Sequence, residues 1–161
     1  MVQRDYEEFF ELLNANGVKF LIVGAHAVAF FARPRATKDI DLFHEATKES
    51  AVGILEAIRA FLGGYDLGLT MDDLCNPDLI VQLGVAPVRI DLMGSISGID
   101  SFEDAWSKRI IGKYGETDVS YISLDDLIRN KKKANREQDK ADLKYLRRAK
   151  TGKKGKSEKV I

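Results

Sequence analysis

The run Asp39-Ile40-Asp41-Leu42-Phe43 alternates carboxylate with hydrocarbon. Successive side chains of a β-strand point to opposite faces. The run therefore predicts a strand with Ile40 and Leu42 turned into a core and Asp39 and Asp41 side by side on the other face. Such a strand needs an apolar layer beneath it, and 161 residues with 45% apolar content can build one within a single compact domain. Two carboxylates so close repel each other unless a cation neutralises them. One short segment thus constrains both the fold and the chemistry.

The surrounding pattern fits the same architecture. Residues 18–23 read as a short buried strand, apolar apart from Lys19, and Gly24-Ala25 turns it into a short helix ending at Phe31. Residues 33–38, with proline and clustered charge, predict a loop. Residues 78–83 and 88–93 read as two strands of a hairpin joined through Gly84-Val85-Ala86-Pro87. Within the second, Arg89-Ile90-Asp91-Leu92 repeats the alternation and offers a third carboxylate.

Helices are expected over residues 3–15, from the Thr47 cap to about Leu62, from Ser101 to about Lys108, and from the Ser123 cap into residues 130–136. A further helix carries Leu143 and Leu146, and residues 110–114 and 118–122 suggest a second hairpin. Residues 65–77 show no clear pattern. The expected fold is α/β (α+β): a small mixed sheet with helices packed on one face and a helical C-terminal segment completing the cleft. Residues 1–149 are expected to form the domain, and residues 150–161 a basic, disordered tail.

Formal net charge is zero, so bulk charge points to neither a nucleic-acid nor a membrane partner. The balance is uneven, however. Residues 129–161 hold 14 of the 25 Lys and Arg and 4 of the 25 Asp and Glu, so they carry +10 against −10 for the rest. Cys75 is the only cysteine, which excludes an internal disulfide and fits a reducing compartment. The longest apolar stretch, residues 20–32, is too short for a bilayer span and contains His26. The N-terminus lacks signal-peptide character, and a cytoplasmic protein is expected.

A hard divalent ion such as Mg²⁺ or Mn²⁺ takes oxygen ligands, and adjacent carboxylates provide them. With Asp91 on a neighbouring strand, Asp39 and Asp41 could hold two ions. Two ions about 3.5–4 Å apart stabilise both attacking and leaving oxygens of a phosphoryl displacement. Gly24, between strand and helix, lets backbone N–H groups approach phosphate, and the helix N-terminus favours negative charge there.

Gly24-Ala25, thirteen residues, Asp39-Ile40-Asp41 and the later Asp91 resemble the DNA polymerase beta-type nucleotidyltransferase superfamily. The texture of residues 23–28 and 35–42, and of 122–128 followed by Lys131, Arg136, Asp139 and Asp142, is similar to small bacterial abortive-infection, toxin-like members. The resemblance covers about residues 5–148. It implies that Asp39 and Asp41 bind metal and that Asp91, the third acid, helps to deprotonate an acceptor hydroxyl. It further implies that Gly24 and Ala25 form the triphosphate turn and that Lys131 contacts phosphate. Asp139 matches a position without an assigned role. Ala25 stands where the family usually has Gly or Ser, which removes a hydroxyl contact to phosphate.

The implied reaction is Mg²⁺-dependent transfer of a nucleoside monophosphate from an NTP, such as ATP, to a hydroxyl. The acceptor would be RNA or protein, in a toxin-type enzyme with an antitoxin partner. The rivals are a small-molecule, antibiotic-type nucleotidyltransferase and an inactive binding module of the same fold. His26 either touches substrate just after the glycine turn or is a polar residue on a short helix. Arg33, Arg35 and Lys38 either meet phosphate or lie in a solvated loop. Lys131, Lys132, Lys133 and Arg136 form either a phosphate-facing patch or an ordinary charged helix face.

Overall fold

The computed structural model describes residues 2–35, 37, 39–85 and 88–159, the last seven by their backbone alone. Lys38 and the Ala86-Pro87 turn, both named above, lie outside the described residues. The elements run α1 (Arg4–Ala15), β1 (Phe20–Val23), α2 (Gly24–Phe31), β2 (Asp39–His44), α3 (Lys48–Phe61), α4 (Met71–Cys75), β3 (Ile80–Leu83) and β4 (Arg89–Met93). They continue as α5 (Phe102–Ser107), β5 (Ile110–Tyr114), β6 (Thr117–Tyr121), α6 (Leu124–Ala134) and α7 (Glu137–Lys159). Helix α7 thus extends over part of the stretch expected as a tail.

The strands form a six-stranded sheet in the order β3-β4-β2-β1-β6-β5. It is mixed: β1 runs antiparallel to β2, and the two hairpins β3–β4 and β5–β6 are antiparallel. The two joins that weld these pieces together, β2–β4 and β1–β6, are parallel. Strands β1 and β2 sit at the centre, which is why β1 is buried at all four residues.

Local chemistry explains the helix boundaries. Thr47 accepts from Ser50 N at the start of α3, and Ser123 accepts from Asp126 N at the start of α6. Helix α4, unforeseen in residues 65–77, is a five-residue helix held by a Thr70/Asp73 capping box. Helix α6 stops at Asn135, whose left-handed φ of 56° lets the chain reverse into α7.

On one side of the sheet Phe10 of α1 stacks on Phe20 of β1, and Phe9 meets Phe61 of α3 edge-on. Phe9 and Phe10 are fully buried, each worth about 1.5–3 kcal/mol of transfer energy. Phe43 shares its side of β2 with Asp39 and Asp41, and it packs on Phe102 of α5. Helices therefore lie on both sides of the sheet, not one. The apolar end of β2 needs a cover that its carboxylate end does not. Ile40 and Leu42 are fully buried, as the alternation required.

Candidate active site

The site begins with strand register. In the parallel β2–β4 pair, Asp41 lies beside Asp91 and Asp39 beside Arg89. Residues paired in this way face the same side, so three carboxylates and one guanidinium must meet. Ligand oxygens of Asp39, Asp41 and Asp91 all fall within 4.8 Å of one another. On the other flank Val23 of β1 pairs with Asp41, which brings Gly24 against that carboxylate. Gly24 has φ +66°, and a Cβ there would collide with Asp41 Oδ2. Any side chain at this position would displace the carboxylate, which is the structural reason for glycine.

The charges are not balanced within this group. Arg89 donates from Nη2 to Asp39 Oδ2 at 2.5 Å, and to Asp91 from Nε at 3.1 Å and Nη2 at 3.3 Å. Thr37 Oγ1 donates to Asp39 Oδ1 at 2.9 Å. Burial pushes the Asp41 carboxyl up to about 7, and the neighbouring Asp39 and Asp91 push the same way, against Lys131 and Arg89. Burial also raises Asp91 despite its contact with Arg89. A donor set of three crowded carboxylates, short of positive charge, fits a hard divalent cation.

A second charged group borders the same cavity. Lys131, only 4% exposed, reaches Asp139 Oδ1 at 3.1 Å and Asp142 Oδ2 at 3.2 Å. Arg35 Nη1 meets that Asp142 oxygen at 2.8 Å, and Arg33 lies 4.0 Å from the other. Arg136 Nε donates to Asp139 Oδ2 at 2.8 Å. Burial alone would raise Asp139, but the bonds from Arg136 and Lys131 outweigh it and hold the carboxyl below its ordinary range. Four cations thus surround two carboxylates.

The cavity, about 590 Å³, is lined by Gly24, Ala25, Asp39, Asp41, Asp91, Arg35, Arg89, Lys131 and Arg136. All six residues singled out from the sequence as catalytic, metal-binding or phosphate-binding line it. Lys132 and Lys133 point to solvent, so the run of lysines divides into one cavity residue and an exposed face. His26 packs on the rings of Tyr6 and Tyr114, and burial lowers its pKa, favouring the neutral ring. Asp139 gains a structural place as the anchor of Lys131 and Arg136.

Arg89 was overlooked in the sequence, although its spacing two residues before Asp91 puts it on the same strand face. Helical spacing in α1 gives Tyr6 no functional mark, yet its hydroxyl donates to the Arg89 carbonyl at 3.1 Å. Burial and the nearby Tyr114 push its pKa up to about 12, so it stays protonated.

A mixed sheet presenting three convergent aspartates beside a cation-rich helix pair suits chemistry on a metal-bound phosphate. The chain belongs to the family described as nucleotidyl transferase of unknown function (DUF2204), whose model matches residues 2–160. Its general class is therefore nucleotidyltransferase. Comparison with curated proteins gives no match. Among the described residues, no helix is long and apolar enough to cross a membrane.

Proposed function

We propose that the chain is an Mg²⁺- or Mn²⁺-dependent nucleotidyltransferase that moves a nucleoside monophosphate from an NTP to an acceptor hydroxyl and releases pyrophosphate. The observation that carries this reading is the convergence of Asp39, Asp41 and Asp91 within 4.8 Å, in a cavity otherwise rich in cations. Asp39 and Asp41 would hold the ion, with Asp91 as a further ligand. Bound there, a divalent cation neutralises the phosphate oxygens and stabilises the charge that develops on the leaving pyrophosphate.

The protein's own groups do the rest. Arg35, Lys131 and Arg136 line the cavity and, with Arg33, outnumber their carboxylate partners, which favours a polyanion there. The N-terminus of α2, at Gly24-Ala25, carries no side-chain cap from Val23, and its N–H groups would meet phosphate. Asp91 takes the proton of the acceptor hydroxyl as its oxygen attacks the α-phosphorus. Rate enhancement comes chiefly from positioning and charge neutralisation.

The toxin-type acceptor, RNA or protein, and an antitoxin partner are supported by the sequence resemblance, which spans about residues 5–148 and fits a catalytic unit within residues 1–149, while a cytoplasmic setting is supported by the single Cys75. Incubation with each α-labelled NTP, Mg²⁺ and either RNA, protein or small hydroxylated acceptors tests the reading. Label transfer by the wild type and none by Asp41→Asn is expected. Equal labelling by both would remove the aspartates from the mechanism, and no labelling with any acceptor would favour a binding module.

A further inference from the structure

Resting on that reading, we propose that Arg89 is a resident counter-cation that a divalent ion must displace from Asp39 and Asp91. The guanidinium occupies the same carboxylate oxygens that a metal needs. It contacts Asp39 Oδ2 and both oxygens of Asp91 at once. This is not an accident of a flexible side chain. Parallel pairing fixes Arg89 beside Asp39, two residues before Asp91 on the same face. The planar fork of an arginine suits two carboxylates, and a lysine could not span them in the same way.

A divalent ion on the same oxygens would stand beside the guanidinium, and repulsion between the two cations sets them in competition for Asp39 Oδ2 and Asp91. The side chain is 35% exposed and lines the cavity, so it has room to leave. Displaced, it stays in the cavity, where an anionic phosphate can receive it. The metal-free site is thereby kept from carrying three uncompensated carboxylates, and metal affinity is held down until the arginine has another partner. Asp41 receives no bond from Arg89 among the described contacts, so it remains the acid most in need of a cation.

The test is calorimetric titration of Mn²⁺ into the wild type, Arg89→Gln, Arg89→Lys and Asp41→Asn, without nucleotide. Removing a competing charge-assisted contact should tighten Mn²⁺ binding to Arg89→Gln by about tenfold, with Arg89→Lys in between. In the wild type, titrating Mg²⁺ should also shift the Arg89 Nε–H signal in ¹⁵N-correlated spectra, assigned by its loss in Arg89→Lys. Equal or weaker Mn²⁺ binding by both Arg89 variants, while Asp41→Asn loses it, would overturn the counter-cation role alone. Unaltered Mn²⁺ binding in Asp41→Asn would overturn the metal site and this inference together.

Discussion

One group of aspartates lines the cavity and a second lies behind the cations that line it, and the fold treats them in opposite ways. On β2 and β4 a single guanidinium contacts Asp39 and Asp91 but not Asp41, and Asp41 is driven up to about 7 by burial and its neighbours. Between α6 and α7 two carboxylates, each under 2% exposed, lie among Lys131, Arg35, Arg33 and Arg136. The first group lacks positive charge; the second has a surplus. A cleft with that division can take a cation on one wall and a polyanion on the other, which is what a metal–triphosphate complex presents.

The comparison can be broken at either wall. Asp41→Asn should lower transfer by on the order of 10³-fold or more, as expected for loss of a group that stabilises transition-state charge. The same change should raise metal-free thermal stability at pH 8, because it removes a crowded carboxylate. A variant with normal turnover would show that the strand aspartates are bystanders.

Asp139→Ala should act on folding instead. It strips Lys131 and Arg136 of a buried partner and should cost about 3 kcal/mol in chemical denaturation. A cost within about 0.5 kcal/mol would place the α6–α7 group among ordinary surface charges.

Gly24→Ala tests how the carboxylate wall is seated against β1 and α2. Left-handed backbone alone should cost about 1–2 kcal/mol, and the added methyl runs into Asp41 Oδ2. Activity should fall further than stability predicts, since the methyl displaces a site carboxylate. Full activity in Gly24→Ala would detach Gly24 from the site.

The smallest effect is one of pH. The folded state holds the Asp41 proton more tightly than the unfolded chain, whose value is the ordinary 3.8. Its contribution to stability is therefore complete below about pH 4 and lost as pH rises through about 7. Mn²⁺ competes with that proton, so the gain in melting temperature on adding Mn²⁺ should grow as pH rises through 7. A gain independent of pH from 5 to 8 would mean that Asp41 is not the titrating ligand.

Much of the carboxylate wall was legible in the sequence, because strand alternation is a local signal. Asp39, Asp41 and Asp91 were marked by it, and Ile40 and Leu42 are buried accordingly. The caps Thr47 and Ser123 and both hairpins are equally local. The cationic wall was harder to read. Lys131 pairs with residues eight and eleven positions on, across a turn at Asn135 whose left-handed backbone no periodicity reports. Arg35 finds Asp142 over 107 positions of chain. Arg89 lay between these cases. Its face was readable, but its contact with Asp39 needed the parallel β2–β4 register, which is non-local. Helix α4 escaped because its capping box serves only five residues.

Charge shortage at the three aspartates is the centre of the account, and Mn²⁺ binding reports on it directly. Free Mn²⁺ measured by electron paramagnetic resonance at pH 8 should fall on adding wild-type protein and stay unchanged on adding Asp41→Asn, with Lys132→Gln behaving as wild type. Binding by Asp41→Asn as tight as by the wild type would contradict it.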